Sequence, residues 1–491
     1  MRHLSGILKL DLFNSKVNEL DTTKKERFLG YLIGPAGALL LNAILATYLN
    51  VYYTDVLGLT TVWNGTFLVI FPIVSKLLDV IVNIVMGYVI DRTKTRQGKA
   101  RPWLLLSAPL VSLSGILLLT VPESNIHLKI AWIMLSYNLF YAFSYTIYNM
   151  SHNLMVPLST RNTTQRGQLS VFNQITTIMM SGIIVALIFP MVIMPVIGVN
   201  KELWITVIGA LSILVLPFTL LEYYFTKERV TEEGLNSTIE QVSFKKQLKI
   251  IFTDKYMLVI FGYFFLFTIG ASVKNLSLVY YSNYVLGTYN DGYTQMMVSA
   301  IGGIPMGIGM FLVWPLAKKM GKRNLTMLGL TLFFIGGVIC WLFPYDMSLV
   351  LVGQFIKNIG GLPSAYVFMA LFADTLDHIE WKAGVRCDGV AMSIYNIIAV
   401  TMVGVCTGIF NGLLSYSGYV APYQNQLGEL IAVQSPPVQN AITFGFVGLE
   451  VMISVLLLIM LSMLNVEKDI EKKQAEILAR REENNAKNSV Y

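Results

Sequence analysis

The stretch Tyr88-Val89-Ile90-Asp91-Arg92-Thr93-Lys94-Thr95-Arg96-Gln97-Gly98-Lys99-Ala100-Arg101-Pro102-Trp103 joins two long apolar segments through a short loop crowded with Arg and Lys. Positive charge of this density beside hydrophobic segments fixes the side of a membrane on which a loop stays, because basic loops remain inside. Working outward, 55% of the 491 residues are hydrophobic and 13% are charged, against about 25% charged in an ordinary soluble chain. The composition is that of an integral membrane protein. The formal net charge of +7 does not mark a nucleic-acid partner, because the basic residues sit in short loops between apolar runs and not on one face.

A bilayer core takes about 20 mostly apolar residues per helix. On that measure the chain holds twelve spans: Phe28 to Thr54, Val62 to Ile90, Pro102 to Val121, Ile130 to Pro157, Gln168 to Gly198, Leu203 to Phe225, Tyr256 to Leu286, Tyr293 to Ala317, Asn324 to Pro344, Ser348 to Ala373, Val385 to Tyr416 and Val438 to Asn465. An even number puts both termini on one side. With that side taken as cytoplasmic, only Lys129 and Lys201 of the 36 Lys and Arg residues fall in outside loops, and within spans lie Lys76, Lys274 and Lys357, with Arg386 at the cytoplasmic edge of span eleven. A wrong span count would scatter the basic residues over both faces.

The predicted organisation is a tail over residues 1–27, a six-helix half over 28–225, a charged linker over 226–255, a second six-helix half over 256–465 and a charged, helix-prone end over 466–491. Leu4 to Phe13 reads as a solvated tail with mild amphipathicity, and the N-terminal segment lacks the apolar core of a cleaved signal peptide. The halves echo each other. Tyr52-Tyr53-Thr54-Asp55-Val56-Leu57-Gly58 ends the first span and Tyr280-Tyr281-Ser282-Asn283-Tyr284-Val285-Leu286-Gly287 the seventh, while basic, Gly-containing loops follow the second and eighth. Parallel six-helix repeats are the plan of the major facilitator fold. The cysteines Cys340, Cys387 and Cys406 have neither metal-ligand nor disulfide-framework spacing.

An ionisable side chain at mid-bilayer is a functional-site hypothesis by default. Span two carries Lys76 and Asp79, span seven Lys274, span ten Lys357 and span twelve Glu450. Lys76 and Asp79 share a helix face and can pair; alternatively Asp79 accepts a coupling proton or cation whose affinity Lys76 tunes. Lys274 and Lys357 either pair with Asp79 and Glu450 or await an anion from outside. The excess of ammonium groups favours a substrate carrying a carboxylate or sulfonate. Glu450, nearer the outer third of its span, reads as structural. Asn42, Tyr145, Asn149, Asn153 and Asn396, with Tyr48, Asn50, Tyr148 and His152, are candidates to line a sugar-sized cavity, since aromatic faces stack on a pyranose and amides bridge its hydroxyls. Each of them can instead serve interhelical hydrogen bonding.

The run from Gly87 and Asp91-Arg92 through Lys94, Arg96, Gly98, Lys99 and Arg101 to Pro102-Trp103 resembles the loop motif of the glycoside-pentoside-hexuronide:cation symporters, relatives of the melibiose and glucuronide carriers. Ala373-Asp374-Thr375-Leu376-Asp377-His378-Ile379-Glu380-Trp381-Lys382-Ala383-Gly384-Val385-Arg386 is similar to that family's loop between spans ten and eleven, and Tyr53-Thr54-Asp55-Val56 to its first-span exit. The resemblance implies an all-α fold of twelve helices with cytoplasmic termini in the cell membrane, and no enzyme activity or resident cofactor. It implies a sugar or glycoside partner within lipid, H+ or Na+ as coupling ion, no nucleic acid, and a monomer. Asp91, Arg92, Asp374, Asp377 and Arg386 are the implied gating charges that latch helix ends in one state and release them in the other.

Departures from the family pattern sharpen the expectation. The family places two Asp four apart on span two; here they are Asp79 and Asn83, which favours a proton over sodium, a hard cation that takes several oxygens. The melibiose carriers' sugar-binding Asp positions fall on Leu39 and Asn149, and their basic residue on span eleven on Val400. With Lys274 and Lys357 added, acids are traded for bases, and an acidic sugar becomes the expected substrate. A neutral glycoside or pentoside is the alternative and a membrane sensor a remote one. Phosphate loops, metal clusters and nucleophile constellations are missing from the sequence.

Overall fold

The computed structural model describes residues 21–93, 95, 97–160, 163–229, 244–384 and 387–488. The long helices are α1 (Glu26–Val56), α2 (Thr66–Arg92), α3 (Arg101–Leu119), α4 (Ile126–Ser159), α5 (Gln168–Ile197) and α6 (Lys201–Phe225). A short linker helix α7 (Phe244–Thr253) precedes α8 (Lys255–Leu286), α9 (Tyr293–Met320), α10 (Lys322–Leu342), α11 (Met347–Ala383), α12 (Asp388–Ser417), α13 (Leu449–Ser462) and α14 (Ile470–Asn488). The helix Pro436–Thr443 and the wide turn Phe444–Gly448 lead into α13. A two-strand hairpin, β1 (Tyr423–Gln424) and β2 (Leu430–Ile431), lies between α12 and α13. Among the described residues eleven helices are long and apolar enough to cross a membrane, and α9 stands where the eighth span was expected. Their exposed faces are apolar, as at Ile81, Ile84, Leu214 and Leu342, which suits lipid and not water.

Helix starts follow local chemistry. Asn125, Asn200, Asp254 and Asp346 each accept backbone N–H bonds from the first turn of the helix they precede, satisfying donors that a helix leaves open. Thr23 and Glu26 exchange bonds, Thr23 N to Glu26 Oε2 at 2.6 Å and Glu26 N to Thr23 Oγ1 at 3.2 Å, forming a capping box at the start of α1.

The first six long helices form one compact unit, to which the segments Asn290–Tyr293 and Val420–Val433 also belong; the rest of the chain forms a second. In the first unit α3 packs along α6, and in the second α10 packs along α11. The units repeat a device at both ends of their third helix. The Tyr52 hydroxyl donates to Leu119 O at the end of α3 (2.8 Å), and Tyr281 donates to Pro344 O just past α10 (2.5 Å). Both tyrosines sit at the same kind of wide π-helical turn, Tyr52–Val56 and Ser282–Leu286, where the sequence echo was read. At the opposite end Glu228 accepts from the N–H groups of Lys99, Ala100 and Arg101 at 2.8–2.9 Å, and Glu467 from those of Lys322 and Arg323 at 2.6 and 3.0 Å. An anion at a helix N-terminus satisfies both the open donors and the helix dipole.

The α10–α11 contact is backbone to backbone. A Cβ at Gly336 would stand 2.5 Å from both Gly353 O and Lys357 N, and one at Gly360 2.3 Å from Phe333 N. Small residues admit that approach, as they do between membrane helices generally, and it fixes where Lys357 enters the interior.

Candidate functional site

In the first unit, Lys76, Asp79 and Asn83 stand three and four residues apart on one face of α2. Lys76 Nζ lies 2.9 Å from Asp79 Oδ2. Asn83 Nδ2 donates to Asp79 Oδ1 at 2.8 Å and to the Asp79 carbonyl at 2.9 Å, and Thr146 Oγ1 of α4 stands 3.0 Å from the same Oδ1. Both carboxylate oxygens are therefore held, with Lys76 and Asp79 buried. The ammonium also sits 4.7 Å over the Tyr141 ring, a cation–π contact. Tyr141 joins Tyr137 (ring centroids 4.6 Å apart) and through it Phe71 (4.9 Å) in an aromatic wall beside the pair. The wide turn Leu139–Tyr145 sets this spacing in α4. Tyr137 and Tyr141 were absent from the sequence candidates, although their four-residue recurrence with Tyr145 gives a helical face.

One to two turns further along α4, Tyr148 and His152 make interhelical contacts to α6. The Tyr148 hydroxyl donates to Glu222 Oε2 at 2.9 Å, and His152 Nδ1 lies 2.6 Å from Glu222 Oε1. Glu222, on α6 and 1% exposed, escaped the sequence reading because its place three residues before the end of span six reads as a boundary charge. Tyr145 is half-buried against Phe140 and Tyr148. Asn153 donates to Asn149 at 3.2 Å, and Asn42 on α1 is half-buried.

In the second unit Lys357 Nζ of α11 lies 2.5 Å from Glu450 Oε2 of α13; both side chains are buried. Phe333 and Phe446 flank the ammonium, each with its ring centre 5.5 Å away. The structure thus gives Lys357 an internal partner, and Glu450 supplies it. Lys274 of α8 feels both charges, yet no carboxylate comes within 4 Å of its Nζ among the described residues. Its helix turns toward this pair: a Cβ at Gly270, four residues earlier, would touch Glu450 Cγ at 3.5 Å. The three side chains form a cluster with two cations and one anion. Asn396 of α12 is exposed and belongs to the second unit.

The residues expected to gate are distributed. Asp374 pairs with Lys322 at 2.5 Å, linking α11 to the start of α10. Asp377 accepts from Gln474 Nε2 of α14 at 2.7 Å, and Arg92 stacks 4.1 Å over Tyr88 of its own helix. Arg386, the side chain of Asp91 and the stretch Leu4 to Phe13 lie outside the described residues. Trp381, beside these acids, donates to Glu476 at 2.6 Å, and Arg480 donates to the Trp381 carbonyl at 2.8 Å, so α14 is bonded to the end of α11. Glu228 and Glu467, which also tie helix ends, were not in the sequence set.

Residues 30–468 match the family described as MFS/sugar transport protein. The chain belongs to that family. The transporter is 26% identical over 464 residues to the isoprimeverose transporter of Lactiplantibacillus pentosus, covering 92% of each chain. It is 25% identical over 411 residues to the glucuronide carrier protein homolog of Escherichia coli (strain K12), covering 82% of this chain and 86% of that one. Among solved structures, the nucleoside transporter NupG superposes with a TM-score of 0.56 at 13% identity over 89% of this chain and 98% of that one, a likeness of fold alone. The transporter therefore has the major facilitator fold, is a multi-pass membrane protein of the glycoside-pentoside-hexuronide type and is not an enzyme.

Proposed function

We propose that the transporter takes up a sugar or glycoside bearing an acidic group by symport, with a proton as the coupling ion and Asp79 as its acceptor. The observation that carries this reading is Lys274, which has no carboxylate within ion-pair distance beside the paired Lys357 and Glu450. An ammonium half-buried within a membrane span calls for a counter-charge, and a carboxylate on the substrate supplies one. The likeness to a glucuronide carrier homolog supports the size and charge of such a substrate.

At Asp79 the acid is already paired with Lys76, held by Asn83 and adjacent to Thr146. A sodium ion would have to displace Lys76 and find most of its oxygens elsewhere, whereas a proton needs one carboxylate oxygen. That same Lys76 favours a second reading, because an ammonium standing where a coupling cation would stand makes a facilitator for a neutral glycoside physically reasonable. The likeness to an isoprimeverose transporter fits that substrate class.

Uptake into proteoliposomes separates the two, with methyl glucuronide and isoprimeverose as acidic and neutral probes and the pH and sodium gradients varied independently. Glucuronide accumulation driven by protons and lost in Asp79→Asn, with exchange retained, is the expected result. Preference for isoprimeverose, or accumulation unchanged in Asp79→Asn, overturns it.

A further inference from the structure

Glu222, Tyr148 and His152 belong to neither charge cluster above, and the function proposed above assigns them no part. Glu222 is sealed on its α1 side by backbone contact: a Cβ at Gly34 would fall 2.6 Å from Glu222 Cβ. Both of its carboxylate oxygens are engaged from α4, one by the Tyr148 hydroxyl and one by His152 Nδ1, and the two rings lie nearly parallel with centroids 5.6 Å apart.

The charged and titratable neighbours on the packed elements are Tyr31 and Glu26 of α1, Arg101 of α3, Tyr145 of α4, and Arg229 beyond α6. Neither cation among them is ion-paired with Glu222, although Nε and Nη1 of Arg101 are buried without a hydrogen-bond partner. Arg229 pairs with Glu26 at 2.8 Å; Arg101 donates to Tyr223 O at 3.0 Å and lies 4.6 Å from the centre of the Tyr223 ring. Among the described residues His152 is the base that touches Glu222.

A carboxylate this deeply buried is costly unless neutralised, and imidazole is the side chain whose ordinary proton affinity lies in the physiological range. We propose that His152 and Glu222 form a second proton-binding site, separate from Asp79, that gives transport a pH dependence of its own. In the loaded state the imidazolium donates Nδ1–H to Glu222 and carries a second proton on Nε2. Release transfers the Nε2 proton to water and leaves a neutral ring still donating through Nδ1, so that the site alternates between net charges of zero and minus one. The site is placed to act on transport because α4 also carries Thr146, which touches Asp79, and the neighbouring Asn149 and Asn153. The proposal goes beyond the assignment of substrate and coupling residue, and its first test uses no substrate.

The imidazole nitrogens of the full-length protein in lipid nanodiscs can be followed by 15N NMR against pH, since the chain has four histidines and His152→Gln assigns the resonance. In Glu222→Gln the His152 midpoint should fall by a pH unit or more, a tenfold loss of proton affinity. Tyr148→Phe strips a donor from the carboxylate and should move the midpoint upward, a sign that general loosening does not produce. In proteoliposomes, the pH profile of exchange for whichever of methyl glucuronide or isoprimeverose is carried should shift in Glu222→Gln in the same direction as the midpoint. An unchanged midpoint overturns the proton site. A moved midpoint with an unmoved exchange profile overturns its link to transport. If neither probe is carried, that counts against the substrate assignment and leaves the NMR result to decide the site.

Discussion

Lys274 and Lys357 carry the same charge within electrostatic reach of each other, but their environments differ: Lys357 has Glu450 at 2.5 Å and Lys274 has no carboxylate within 4 Å among the described residues. Lys274→Gln should therefore weaken methyl glucuronide transport roughly ten- to hundredfold, the worth of a hydrogen bond to a charged group, and isoprimeverose transport by less than about twofold; equal losses in uptake assays would reduce Lys274 to a packing role. Lys357 predicts a stability effect instead. Lys357→Met leaves Glu450 buried and unpaired and should cost about 3–5 kcal/mol, while adding Glu450→Leu should recover most of that loss. A double-mutant cycle by thermal or denaturant unfolding in one detergent checks this, and additive losses would show that the two groups are uncoupled. The same contrast shows what a sequence discloses. Lys76 with Asp79 was legible because three residues on a helix share a face. Lys357 with Glu450, 93 positions apart, was one of several possible pairings until helix packing chose it. Glu222 was missed because hydropathy places a charge near a span's end in the headgroup region, whereas here the side chain turns inward.

Helix ends and close helix contacts are where single substitutions should act on whole elements. At Gly336 an added methyl meets backbone on α11, including Lys357 N at 2.5 Å, whereas at Gly337 it meets the end of the Val451 side chain at 2.6 Å. Gly336→Ala should thus cost about 1–3 kcal/mol, as overpacking does, and displace Lys357, while Gly337→Ala should cost less; unfolding of the two variants in parallel makes the comparison. The α8 start adds a pH effect. Burial pushes the Asp254 carboxyl up, but the His378 imidazole 3.6 Å away and hydrogen bonds from Lys382 and the Met257 N–H outweigh it and hold the group well below the usual carboxylate range. A carboxyl depressed in the folded state contributes stability above its unfolded value, near 3.9, and loses that contribution as pH falls toward the folded one. Asp254→Asn should accordingly flatten the acid limb of the stability profile below about pH 4, and an unchanged limb would mean that other carboxylates set it. The residues capping α8, α10 and α3 were only partly readable: Asp254 precedes its own helix, whereas Glu228 and Glu467 reach helices more than a hundred residues away in sequence.

For the whole molecule, span count and internal repetition were the most legible features, because hydropathy and loop charge are local and additive along the chain. Tyr52 with Tyr281 and Glu228 with Glu467 hold α3 and α10 by equivalent bonds, which gives the repeat inferred from Tyr-Tyr pairs and basic loops a physical basis. Orientation is the next inference that charge supports, and it can be tested directly. Cys340, Cys387 and Cys406 are buried, so background reaction with a membrane-impermeant maleimide should be low in intact cells. Single cysteines in place of Lys129 or Lys201, in the two loops expected outside, should label without permeabilisation. Cysteines replacing Lys227 or Lys318, on the basic side, should label only after it. The basic side is expected inside because carrying several ammonium groups across the bilayer against the membrane potential is costly. The opposite labelling pattern would reverse both termini. It would also place Glu222, one turn from the end of α6, on the outer side, so that the proton it shares with His152 would exchange with the external medium.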